Sequence, residues 1–132
     1  MSEYIIVTDK PTIDKLMLTY FSVVSDEQFK KALRCFSQKR GYGEEFVAVL
    51  FKYDFDDFDD FDLAQLSKPI DDSHVILEMD YPAADRDTQV YLTFNEFYNY
   101  LIKRVSAIIE DNPDEKSELN KLLLEVKIGL NL

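Results

Sequence analysis

The sequence has few of the residues from which several common kinds of site are built. It holds one cysteine, Cys35, one histidine, His74, and three glycines in 132 residues. A single cysteine excludes both an internal disulfide and a thiol-rich metal site. Gly41, Gly43 and Gly129 form no phosphate-binding loop, no nucleophile-elbow motif is present, and His74 has no second histidine at ligand spacing. We therefore expect no catalytic residues, no cofactor and no metal ligands.

Positive charge is also scarce. The chain has 15 lysines and arginines against 26 aspartates and glutamates, and its formal net charge is -11 at pH 7. Direct contact with nucleic acid or with an anionic membrane would need a basic surface, so we expect neither. No apolar run approaches the roughly 20 residues that span a bilayer. Residues 1–4 lack the positive start of a signal peptide, which favours a cytoplasmic location.

The composition is that of a folded protein despite the charge. Hydrophobic residues make up 46% of the chain and aromatic residues 14%, which is enough to build a core. The length matches one domain. We predict a single α+β domain over residues 1–132, in which a small antiparallel sheet of about three strands packs against about four helices.

Capping residues indicate where three of the helices begin. Ser25 with Gln28, and Thr93 with Glu96, have the spacing of capping boxes, and Asn112-Pro113 is a third N-terminal signal. Apolar side chains follow the first two at helical spacing; they are Phe29, Ala32, Leu33 and Phe36, and then Phe94, Phe97, Leu101, Val105 and Ile108.

Three segments have the character of strands. Residues 46–55, 74–79 and 88–92 are rich in β-branched, aromatic and other apolar residues, and turn-forming residues separate the last two. Residues 12–24 fit either a helix or a strand, and their apolar stripe favours a helix. The strands and helices together give the α+β class.

The most unusual segment is a run of nine residues, Asp54 to Asp62, that combines six aspartates with Phe55, Phe58 and Phe61. From Asp54 to Asp87 there are twelve acids and only two bases, so this stretch carries -10 of the net charge of -11. Because carboxylates at this density repel one another, the run indicates a surface that meets something positive.

The positive partner of this run is either a basic site on another protein or a metal ion. As a calcium loop it fails, because Asp59 and Gln65 occupy the positions where an EF-hand needs glycine and glutamate. A metal-binding protein that uses Asp54 to Asp62 remains an alternative. So does an acidic mimic of nucleic acid that inhibits another protein. A solvated acidic turn with its rings in the core is the simplest structural interpretation.

Six segments of the chain together form a recognisable order of motifs. They are Ser25-Asp26-Glu27-Gln28-Phe29-Lys30-Lys31-Ala32-Leu33, Phe36-Ser37, Gly41-Tyr42-Gly43, Tyr53-Asp54-Phe55-Asp56-Asp57, Leu92-Thr93-Phe94-Asn95-Glu96-Phe97-Tyr98-Asn99-Tyr100-Leu101 and Asn112-Pro113. This order resembles a known family, the small immunity proteins of bacterial contact-dependent growth inhibition systems. The similarity begins at about residue 25, and residues 1–24 add little to it.

The resemblance implies a cytoplasmic protein, not an enzyme, that binds and neutralises the C-terminal domain of a delivered toxin, often a nuclease. A nuclease presents a basic cleft, and an acidic run with aromatic rings fits such a partner. The expected partner-binding residues are Asp54, Phe55, Asp56, Asp57, Phe58, Asp59, Asp60 and Asp62, with Asp71 and Asp72 as further contacts.

Overall fold

The computed structural model describes residues 4–55 and 69–132. These residues form five strands, four α-helices and two short 3-10 turns. The strands are β1 (Ile5–Ile6), β2 (Tyr42–Glu44), β3 (Val47–Leu50), β4 (His74–Met79) and β5 (Thr88–Thr93). The helices are α1 (Lys10–Val23), α2 (Asp26–Ser37), α3 (Phe94–Asp111) and α4 (Lys116–Gly129), and the 3-10 turns are Lys52–Phe55 and Pro113–Glu115.

The strands form one mixed sheet in the order β1-β5-β4-β3-β2. β1 runs parallel to β5, and the other three pairings are antiparallel. The α+β class and the four helices are confirmed. The prediction of about three strands in an antiparallel sheet is wrong, because β1 and β2 extend the sheet at its two edges.

The two missed strands are too short for their sequences to reveal them. β1 has two residues and is held by hydrogen bonds to β5, far along the chain, and β2 has three residues and pairs with the neighbouring β3. The segment 46–55 was also predicted too long as a strand. β3 ends at Leu50, and Lys52–Phe55 turns instead.

Local signals predicted the helices better. The Ser25 side chain accepts a hydrogen bond from the Gln28 amide, and Thr93 and Glu96 make a complete capping box. The reciprocal bond of the first box is absent, because Gln28 Oε1 instead accepts from the Tyr42 hydroxyl at 2.6 Å. The last helix begins later than Asn112-Pro113 suggested, since Pro113–Glu115 forms a 3-10 turn first.

The core lies between one face of the sheet and the helices. Val47, Val49, Val75, Leu77 and Val90 are neighbours in the register and all face the buried side. Three rings meet there in a cluster: the Phe36 and Phe97 centroids are 5.0 Å apart, and Phe51 lies 6.1 Å from each. The other face therefore carries the alternate residues, including Ala48, Glu78 and Gln89.

Helix α4 packs closely against the end of α2 at Gly129. A Cβ atom there would collide with the carbonyl oxygen of Ser37. In an uncrowded helix alanine is preferred to glycine by about 1 kcal/mol. We expect the opposite sign here, because Gly129→Ala overpacks the contact and should lower the free energy of unfolding by about 1–3 kcal/mol. Urea denaturation measures this.

The control is Asn120→Ala, a substitution on the exposed side of the same helix. It should change the stability by no more than about 0.5 kcal/mol in either direction. A Gly129→Ala protein as stable as the wild type would show that the two helices can separate without cost.

Candidate functional site

The predicted acidic surface is only partly within the described residues. Asp54, Phe55, Asp71 and Asp72 are described. The remaining predicted contacts lie outside the described ranges; they are Asp56, Asp57, Phe58, Asp59, Asp60 and Asp62. Their role in binding stays a prediction.

Asp54 serves the fold of the loop after β3. Its carboxylate accepts hydrogen bonds from the Gly41 amide at 2.9 and 3.1 Å and from the Phe51 amide at 2.6 Å. It therefore ties the 3-10 turn to the segment before β2. Phe55, the next residue, is 7% exposed, so its ring faces the protein's own interior. These two residues hold the start of the acidic run against the body of the protein.

Asp71 and Asp72 are exposed just before β4. The Asp71 carboxylate lies 2.8 Å from His74 Nδ1 and accepts a hydrogen bond from the Ser73 amide at 2.9 Å. These hydrogen bonds, chiefly the one to His74, lower the pKa of Asp71 to about 2. Asp72 has a looser ion pair, 3.8 Å from Lys52 Nζ. The lowered pKa keeps Asp71 in its charged form at neutral pH.

A second group of acids lies at the opposite end of β4, around the β2–β3 turn and the β4–β5 loop. The Asp80 amide donates a hydrogen bond to the Phe46 carbonyl oxygen at 2.8 Å, which joins the two turns. Five acids belong to these turns, with Arg86 the one base among them. The five are Glu44, Glu45, Asp80, Asp85 and Asp87.

The same end of the sheet exposes two aromatic rings. Phe46 is 47% exposed and Tyr81 is 68% exposed. Sequence reasoning missed this surface because Phe46 was assigned to the following strand and Tyr81 to a plain connection. The available signal was the pattern of a ring beside acids in Glu44-Glu45-Phe46 and Asp80-Tyr81.

A partly buried carboxylate, that of Glu78, lies beside this second group on the face of the sheet that also carries Ala48 and Gln89. Burial raises the pKa of Glu78 above its usual range. The Tyr4 hydroxyl donates a hydrogen bond to Asp80 at 2.7 Å, and burial together with the neighbouring carboxylates Glu78 and Asp80 raises the pKa of Tyr4. Of the five acids in the second group, Glu45 and Asp85 are exposed, whereas Glu44, Asp80 and Asp87 are half-buried.

One cluster in the described residues has the residue types of a catalytic site. Tyr100 donates a hydrogen bond to Asp14 at 2.5 Å, and Lys10 Nζ lies 2.8 Å from Asp14, beside a groove of about 310 Å³ between α1 and α3. These hydrogen bonds raise the pKa of Lys10 and lower that of Asp14, and burial raises the pKa of Tyr100. Each shift keeps the group in its ordinary protonation state at neutral pH, which does not favour proton transfer.

Within residues 4–55 and 69–132, no three histidine, cysteine, aspartate or glutamate side chains are grouped so that they could hold a metal ion. Cys35 is a free, half-buried thiol. None of the helices in this part of the chain is long and apolar enough to cross a membrane.

Comparison with known proteins gives one match. The sequence model of a family described as CDI immunity protein matches residues 13–123, which is most of the chain. No curated protein and no solved structure matches. The match includes most of α1, all of α2 and α3, the first half of α4, strands β2 to β5 and the acidic stretch from Asp54 to Asp87.

Because Asp54 binds two main-chain amides, its loss should affect the fold. We expect Asp54→Ala to lower the free energy of unfolding by about 1–3 kcal/mol, since two amides lose their acceptor. Asp72→Ala, which removes an equal charge from an exposed position, should change it by no more than about 0.5 kcal/mol. Equal effects of the two substitutions in urea denaturation would exclude a structural role for Asp54.

The hydrogen bond from His74 should be visible in the titration of Asp71. In the wild type we expect the Asp71 carboxyl to titrate with a pKa of about 2. His74→Ala removes the largest cause of the lowering, so the pKa should rise toward the usual value. Carbon-detected NMR of the side-chain carboxyl measures both values, and an unchanged Asp71 pKa in the variant would contradict the assignment.

The lowered pKa of Asp71 determines how the stability of the protein changes with pH. A carboxyl whose pKa is lower in the folded state stabilises the protein above its unfolded pKa, and that contribution is lost as the pH falls toward about 2. Between pH 4 and 2 the His74→Ala protein should therefore lose less stability than the wild type.

Proposed function

The chain belongs to the family of CDI immunity proteins, and we propose that it acts in the cytoplasm, where it binds a cognate toxin domain and neutralises it. We propose further that the toxin is a nuclease and that an acidic surface of the immunity protein meets it. The observation that carries the proposal is the family match over a chain in which -10 of the net charge of -11 lies between Asp54 and Asp87.

The physical basis is charge complementarity. A nuclease binds phosphates, so the surface around its active site must be basic. An inhibitor with a concentrated negative surface is steered toward that cleft and can associate well above the uncharged rate of about 10⁵–10⁶ M⁻¹s⁻¹. A chain with the opposite charge would be repelled by the same cleft, and a neutral one would gain no steering.

Within this proposal the predicted residues divide into two roles. Asp71 and Asp72 are exposed and are suited to direct contact with lysines or arginines, and the lowered pKa of Asp71 keeps that carboxylate charged. Asp54 and Phe55 face inward and secure the beginning of the acidic run. The proposed contacts of the run itself are Asp56, Asp57, Asp59, Asp60 and Asp62, with Phe58 as an aromatic anchor.

The proposal is tested by co-expression of this chain with the C-terminal domain of the large secreted protein encoded immediately upstream. We expect growth of the host to be rescued, and a stoichiometric complex to co-purify. The purified complex should lose the nuclease activity of the free toxin domain. No rescue and no complex would refute the proposed function, whereas a complex with a toxin of another activity would refute only the nuclease assignment.

The acidic run is tested by substitution of Asp56, Asp57, Asp59 and Asp60 together with alanine. Because four negative charges are lost, we expect slower association with the toxin domain, a smaller dependence of the association rate on salt, and affinity lower by about tenfold or more. Surface plasmon resonance at several salt concentrations measures all three.

The matched control removes four exposed acids from the α3–α4 side of the protein. The control substitutions are Glu110→Ala, Asp111→Ala, Asp114→Ala and Glu125→Ala. They change the net charge equally, so any effect of total charge is the same in both proteins. Equal affinity in the two variants would show that the position of the acidic run does not matter.

A further inference from the structure

The β2–β3 turn has an unusual choice of residues. Glu44 pairs with Val47, so Glu45 and Phe46 are the two residues of the turn. Two-residue hairpin turns favour asparagine, aspartate and glycine, because a positive φ is needed there. Glu45 has a φ of 51°, in the left-handed region that favours glycine, and Phe46 leaves 47% of its surface in solvent. Neither residue is the one that would best stabilise the turn.

The neighbouring loop carries a second exposed ring, that of Tyr81. The hydrogen bond from the Asp80 amide to the Phe46 carbonyl oxygen joins the two turns at 2.8 Å. The Tyr81 amide donates to Asp87 Oδ1 at 2.9 Å, which fixes the backbone that carries the 68% exposed Tyr81 ring. Two exposed rings therefore stand on backbone segments that are already held in place, so binding would require little ordering of the main chain.

The charges around these rings indicate what kind of partner fits. The two turns that carry Phe46 and Tyr81, together with the last residue of β2, hold five acids and one base. By contrast, Lys127 adjoins the exposed Ile128 on α4, and Lys15 lies one helical turn before the exposed Leu18 on α1. An arginine or lysine can stack on a tyrosine or phenylalanine ring while it pairs with a nearby carboxylate. Exposed rings inside an acidic border are thus complementary to a cationic protein surface.

We propose that this tip surface, defined as Glu45, Phe46 and Tyr81 with Glu44, Asp80, Asp85 and Asp87 around them, docks onto the cationic face of the cognate toxin domain. The inference rests on the proposed function and identifies where the strongest contacts lie. The two rings fill pockets on the toxin and lose their solvent, while the surrounding acids pair with basic residues.

The tip surface is distinct from the site around Asp71 and Asp72. The six residues of β4 separate the two, and a strand of that length spans about 20 Å. A protein–protein interface of ordinary size, about 800 Å² on each partner, can be centred at one end of β4 without depending on the other. Substitutions at the two ends therefore report on two separate assignments.

The test measures binding of the upstream-encoded toxin domain to Phe46→Ala and to Tyr81→Ala. We expect each substitution to raise Kd by about tenfold or more, mainly through faster dissociation, because a buried ring is lost from the interface. Leu18→Ala and Ile128→Ala remove exposed apolar side chains, 67% exposed in both cases, from other faces and serve as controls. They should leave Kd within about twofold of the wild type.

A second pair of variants separates the turn conformation from the charge. Glu45→Gly removes the side chain from the left-handed position, so we expect a higher Tm and weaker toxin binding. Glu45→Gln keeps that conformation and removes only the charge, so we expect an unchanged Tm and weaker binding. A Glu45→Gly protein that is more stable and binds as well as the wild type would overturn the role of Glu45.

The outcomes test the proposed function and the tip surface separately. If wild-type protein fails to bind the toxin domain, the proposed function and the tip surface both fail. If the wild type binds and the Phe46 and Tyr81 variants bind equally well, the tip surface is refuted and the proposed function stands. Circular dichroism of each variant verifies that it is folded, so that a loss of binding reflects the removed ring.

Discussion

A charged carboxylate must be solvated by water or must accept hydrogen bonds, and this requirement determines where the acids of this protein lie. Most of the net charge lies between Asp54 and Asp87. Several acids of this stretch are bound at turns: Asp54 by the Gly41 and Phe51 amides, Asp71 by the Ser73 amide and Asp87 by the Tyr81 amide. The hydrophobic core lies between the helices and one face of the sheet, and the carboxylates of these turns are not part of it.

The sequence predicted those features of the fold that depend on residues close together in the chain. Thr93 and Glu96 lie three residues apart, so their capping box can be identified by inspection. β1 is held by parallel pairing with β5, more than 80 residues away, and its two residues carry no pattern of their own. β1 was therefore missed, and β2 was missed because a strand of three residues is too short to show a pattern, whereas the helices and the central strands were found.

The same distinction applies to the candidate site. The density of acids identified a charged region, because charge is a property of composition. It did not reveal that Asp54 faces inward, because that depends on where the Gly41 amide lies in space. Nor did it indicate the tip surface, since Glu45 and Phe46 become turn residues only once β2 pairs with β3.

The arrangement suggests how encounter and retention divide between parts of one protein. Salt screens the attraction between opposite charges beyond about 8–10 Å at physiological ionic strength, so the acids nearest the contact contribute most to steering. Retention depends on desolvated side chains, and these must touch. Within the described part of the acidic stretch, the most exposed aromatic ring is that of Tyr81, in a loop that is joined by a backbone hydrogen bond to the turn that carries Phe46.

An inhibitor that must capture its target before the target acts needs both charge for fast association and a small, rigidly held apolar contact for slow release. The sheet supplies the rigidity, because β4 joins both acidic ends through continuous pairing with β3 and β5.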